Sequence, residues 1–165
     1  MNSQIPGLIA DIRREQQQTQ KLVQELEELL SDLSGDPDSV DLRAIASILH
    51  DFYTGIEKIF SRIALEMEGN LPEGENWHRQ LLERMAVDIK KVRPAVISEE
   101  LEVKLDEYLR FRHLFRHSYG FLLQWEKCKG LTNNLTPCHK QVQKELKVFL
   151  TFLTKLQEEI SNSDF

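Results

Sequence analysis

The stretch VDLRAIASILHDFYTGIEKIFSRIALEM, residues 40–67, decides the fold class. Leu42, Ile45, Leu49, Phe52, Ile56, Ile59 and Ile63 recur at steps of three and four, which places seven large apolar side chains on one stripe of a helix. A strand would need strict alternation instead. The same spacing extends outward in both directions. Upstream, a segment from about Pro6 to Leu33 carries Leu22, Leu26, Leu29 and Leu33, with a Gln-rich middle, Gln16 to Gln20, that reads as a solvated stretch. Downstream, roughly Asn76 to Lys91 turns Leu81, Leu82, Met85 and Ile89 to one face and offers Asn76 as a cap. Ser98 opens a fourth helix, with Glu99, Glu100 and Glu102 favouring its N-terminus. The last segment places Val142, Leu146, Phe149, Leu153, Leu156 and Ile160 on the narrow seam of a bundle neighbour. Turn formers cluster at Ser34 to Ser39, Gly69 to Gly74, Pro94, Gly120 and Gly130 to Pro137, and these are the predicted breaks. The expectation is an all-α, up-and-down antiparallel helical bundle of about five helices, forming one domain over residues 1–165.

The composition sets limits on function. The chain has 165 residues, 41% hydrophobic and 29% charged, and 21 Lys and Arg against 27 Asp and Glu give a net charge of -6. That balance disfavours disorder and a nonspecific nucleic-acid coat, whose affinity comes from excess cations. No uncharged apolar run approaches the roughly 18 residues of a spanning helix. Met1 to Glu15 lacks the basic start and apolar stretch of a secretory signal, so the reading is a cytoplasmic chain without a membrane partner. Cys128 and Cys138 are read as reduced thiols, with a loop-closing disulfide as the alternative. With His139 they make a poor zinc signature across a nine-residue loop, so neither metal nor cofactor is expected.

The segment YLRFRHLFRHSYGF, residues 108–121, concentrates the cations of this acidic chain. Arg110, Arg112, His113, Arg116 and His117 interleave with Tyr108, Phe111, Phe115, Tyr119 and Phe121, a composition suited to phosphates and unstacked bases. A solvated face whose arginines pair with neighbouring acids has the same composition. Register separates Arg112 from the rest. The inner stripe of the fourth helix runs Leu101, Leu105, Tyr108, Arg112, Phe115 and Tyr119, so Arg112 falls where an apolar residue belongs. A guanidinium there points to an anion site, a subunit interface, or a buried pair with a carboxylate from another helix. His117 lies five positions on, about 140° around a straight helix. Gly120 is the natural C-terminal breaker, and a helix end near His117 to Tyr119 would let Arg112, His117 and Tyr119 converge. Convergence across a two-fold dimer interface would serve equally.

Arg112-His113-Leu114-Phe115-Arg116-His117-Ser118-Tyr119 resembles the R-x4-H-x-Y motif of HepT-type HEPN toxins, the ribonuclease half of bacterial HEPN/MNT toxin–antitoxin pairs. The resemblance implies a metal-independent endoribonuclease acting on cellular RNA, tRNA or mRNA, as a homodimer with both motif copies facing one cleft. It implies Arg112 and His117 as catalytic, and Tyr119 as the residue to which an MNT-type nucleotidyltransferase antitoxin adds AMP. Arg110, His113 and Arg116 are the expected RNA-binding residues. The chain departs from the family pattern at His113, where many members have Asn, and this leaves the role of the second imidazole open.

The chemistry suits those residues. RNA carries its own nucleophile, so the enzyme need only remove the 2′-hydroxyl proton, balance the charge on phosphorus and protonate the leaving oxygen. Histidine titrates near neutrality, and an arginine fork matches two phosphate oxygens. The competing class is a noncatalytic helical protein–protein interaction module with a HEPN-like fold. His50 reads as a partly buried packing residue. Trp77-His78 reads as an anchor for the third helix, with a contribution to the RNA cleft as the alternative.

Overall fold

The computed structural model describes residues 4–117 and 123–164, and within them the chain forms five helices. They are α1 (Ile5–Asp32), α2 (Ser39–Glu68), α3 (Trp77–Met85), α4 (Glu99–Arg116) and α5 (Trp125–Ser163). No β-strand occurs among the described residues, so the all-α bundle of the sequence reading holds. α2 is the central helix and touches all four others. All seven residues of its predicted stripe are buried, and Tyr53, Phe60 and Ala64 extend the apolar surface around the helix. This follows from the sequence, since a helix packed on several sides carries more than one apolar stripe.

Local chemistry sets most helix ends. Pro6 lies in the first turn of α1, where its missing N–H costs nothing. Asp38 caps α2 by accepting the Asp41 N–H at 2.8 Å, and Gly69 closes it in a left-handed conformation at φ 83°. Ser98 caps α4 as expected, its Oγ accepting the Leu101 N–H at 3.1 Å. Asn76 is the N-cap residue of α3 but makes no side-chain cap bond. α1 and α2 approach closely at Gly55, where an added Cβ would lie 2.7 Å from Thr19 Cγ2. Thr19 is buried there inside the otherwise solvated glutamine stretch.

Three local expectations change. α1 buries Leu8, Ile12, Val23 and Leu26, whereas Leu22, Leu29 and Leu33 are only half-buried. α3 stops at Met85 instead of Lys91. The following turn is held by buried Arg93, which donates to the carbonyls of Arg84, Val87 and Pro94 and pairs with Glu68, and these contacts compete with continued helix. Ile89 is therefore only half-buried and sits in an isolated bridge with Arg93. Third, Gly130 to Pro137 is no loop: α5 runs through it with Pro137 inside. Cys128, Leu135, Cys138 and Val142 form a continuous buried stripe across it. Pro137 and Asn133, the carbonyl partner four residues earlier that the proline leaves without a donor, both lie on the exposed face. Burial along the inner face outweighs a lost bond on the wet one.

Candidate functional site

α4 delivers Arg112 to the core as its register required. The side chain is 5% exposed and lies between α2 and α3. Its Nη2 donates to Glu57 Oε2 at 2.8 Å, and the guanidinium sits 5.0 Å from the centre of the Tyr53 ring. Burial, then the nearby Glu57 charge, pushes the Tyr53 phenol well up, so it stays protonated. Of the three readings for an inward Arg112, the pair with a carboxylate of another helix is thus present. It is incomplete as a satisfied pair. Nη1 makes only a 3.5 Å contact to Thr54 Oγ1, and Nε has no hydrogen-bond partner among the described residues.

α3 supplies the third member of this cluster. His78 Nδ1 lies 2.7 Å from Glu57 Oε2 and 3.1 Å from Arg112 Nη2, with the Trp77 ring stacked beside it at 3.8 Å. A carboxylate oxygen accepts, so the short contact places the hydrogen on Nδ1, and Arg112 Nη2 and His78 Nδ1 are then two donors sharing Glu57 Oε2. Nε2 keeps its lone pair and meets no partner among the described residues, on a side chain 31% exposed. A cleft of about 500 Å³ reaches Thr54, Glu57 and Trp77 and carries Arg14, Lys58 and Arg62 on its walls.

The other motif residues lie away from this cluster. His117 is the C-cap of α4, exposed, with its ring 4.6 Å from that of His113. The described residues therefore bring Arg112 together with Glu57 and His78, and not with His117. Tyr119 lies outside the described residues, as do the Gly120 breaker and Phe121. Arg110, His113 and Arg116 are exposed; Arg110 pairs with Asp106 at 2.8 Å. His50 packs as expected, half-buried against Phe115 at 5.5 Å. Cys128 and Cys138 are free and buried on one helix, where burial raises both thiols, Cys138 to about 12. Glu57 escaped the sequence reading because it stands one position off the α2 stripe. Its only signal was a charge between Ile56 and Ile59.

A family model described as HepT-like protein matches residues 44–153, two thirds of the chain. The chain belongs to the HepT-like family. The matched span contains α2 from its second turn, all of α3 and α4, and most of α5, so Glu57, His78, Arg112 and the whole of Arg112 to Tyr119 fall within the HepT-like region. No curated protein and no solved structure matches. No helix among the described residues is long and apolar enough to cross a membrane.

Proposed function

We propose that this HepT-like protein is the toxin of a bacterial HEPN/MNT pair, a metal-independent endoribonuclease of cellular RNA. The observation that carries the reading is that the R-x4-H-x-Y residues Arg112, His117 and Tyr119 lie inside the HepT-like match. Arg112 contributes a permanent charge at the α2–α4 seam, with Nε, unpartnered among the described residues, offered to a phosphate oxygen. His117, at an exposed helix end, exchanges a proton with the reacting RNA. The 2′-oxygen attacks phosphorus, the 5′-oxygen leaves with a proton, and a 2′,3′-cyclic phosphate remains. Exposed Arg110, His113 and Arg116 guide the strand. The active form is a homodimer, which brings a second motif copy to the cleft. A nucleotidyltransferase antitoxin silences the enzyme by placing AMP on Tyr119, where bulk and negative charge exclude the RNA phosphate.

The test is cleavage of total cellular RNA in excess EDTA by protein shown by mass to be unmodified at Tyr119. Wild type is expected to cleave, His117→Ala to be inactive, and Tyr119→Phe to remain toxic while escaping the antitoxin. Inactivity of the unmodified wild type would favour a second reading, a helical interaction module, which the Glu57–Arg112 pair supports as an ordinary structural contact.

A further inference from the structure

Within one chain the imidazole that meets Arg112 is His78, on a side chain 31% exposed. We propose that His78, outside the R-x4-H-x-Y motif, is the general base of RNA cleavage, oriented by Glu57 and Arg112. This rests on the ribonuclease reading above and assigns the imidazole which that reading leaves open.

Three observations point to it. First, Nδ1 lies 2.7 Å from Glu57 Oε2, and a carboxylate that accepts there keeps the hydrogen on Nδ1 and leaves Nε2 as the basic nitrogen. Second, the Trp77 ring lies against the imidazole, and the Glu57 oxygen that holds Nδ1 also holds Arg112, so α2, α3 and α4 meet at this carboxylate. Third, the adjoining cleft, lined by Glu57 and Trp77, sets Arg14, Lys58 and Arg62 against Asp11 and Glu15; Arg62 is paired with Asp11 at 2.9 Å, which leaves Arg14 and Lys58 to meet a phosphate chain. A histidine that merely anchored α3 would need only the Glu57 contact.

The step balances. His78 Nε2 accepts the 2′-hydroxyl proton, the 2′-O–P bond forms, the P–O5′ bond breaks, and O5′ takes a proton from the His117 that the homodimer's second motif copy brings to the cleft. The charged groups around His78 are Glu57 of α2 and Arg112 of α4 in contact; Arg79 and Asp106, paired at 3.2 Å beside it; and Asp11, Arg14, Glu15, Lys58 and Arg62 around the cleft. A general base acts in its unprotonated form, so the acid limb of the cleavage profile should depend on His78.

The decisive variant is His78→Asn, whose amide keeps a donor near the Nδ1 position and removes Nε2. It should melt like wild type and lose cleavage by about 10²–10⁴-fold, with the acid limb gone from its residual pH profile. In folded wild type, the His78 ring resonances should shift when a 2′-deoxy oligonucleotide, which lacks the nucleophile, is added. Wild-type activity in His78→Asn, with His117→Ala inactive, overturns the assignment and leaves the ribonuclease reading standing. An oligonucleotide that moves His117 resonances but not those of His78 does the same. Wild type that cleaves no RNA overturns both.

Discussion

Two arginines sink into the core of this bundle, and each answers to a glutamate of α2, yet they are held in different ways. Arg93, with no exposed side-chain surface, uses every nitrogen: Nε and Nη2 contact Glu68 at 3.0 Å, Nη1 donates to the carbonyls of Val87 and Pro94, and Nη2 donates to that of Arg84. Arg112 commits one nitrogen firmly, to Glu57, and shares that carboxylate with His78. The first guanidinium is a structural clamp that replaces the end of a helix. The second keeps donors in reserve beside an open cleft. A buried charge with spare hydrogen-bonding capacity is an expensive structural device, because desolvation is only partly offset. On the ribonuclease reading, Arg112, with fewer partners than Arg93 among the described residues, is the functional member of the two.

The largest effect should separate them by stability. Arg93→Met leaves the Val87 and Pro94 carbonyls without their donor and Glu68 with only its 3.3 Å contact to Arg84, and should cost about 3–5 kcal/mol in urea denaturation. Arg112→Met leaves a Glu57 that still accepts from His78 and should cost less, roughly 1–3 kcal/mol. Equal or inverted costs would break the distinction. Activity should separate them the other way. Arg112→Lys retains the charge but loses the planar fork, and should reduce RNA cleavage by about 100-fold. Arg93→Lys, normalised to folded protein, should cleave like wild type. His117→Ala, at an exposed cap, sharpens the contrast further, because it should abolish cleavage with stability unchanged within about 0.5 kcal/mol.

The smallest effect concerns a basic group that the core accepts by keeping it neutral. Burial lowers the pKa of His139, against the weaker raising influence of Glu27, and its Nε2 lies 3.0 Å from the Gln143 amide nitrogen, which donates to it. In the unfolded chain this histidine protonates near its ordinary value of about 6.5, so the unfolded state binds more protons below that pH. The contribution is therefore fully present above about pH 6.5 and is lost as pH falls toward the lower folded value. His139→Gln should flatten that part of the stability profile, measured by denaturation between about pH 7 and pH 5. An unchanged slope would mean that His139 ionises as readily in the core as in water.

Much of this was legible in the chain itself, because it depends on neighbours within a few residues. The α2 stripe, the Ser98 cap and the inward register of Arg112 all depend on residues three or four positions apart. Where local signals failed, a distant group had intervened. Arg93 stops α3 by reaching Glu68, 25 residues earlier. Gly130 and Pro137 break nothing, since the buried face of α5 is held by other helices, Tyr108 donating to the Leu131 carbonyl at 2.8 Å across α4.

The same division runs through the site. Sequence alone determined that an arginine would stand on an apolar seam, five residues before a histidine at the end of its helix, and that the helix would be one of about five in a bundle. It left open what that arginine would meet. Glu57 lies 55 residues from Arg112 and His78 lies 34 away, and only the packing of α2, α3 and α4 puts the three within hydrogen-bond distance. Periodicity specifies which face of a helix turns inward, whereas the partner it finds there depends on how separate helices cross, a property of the whole fold.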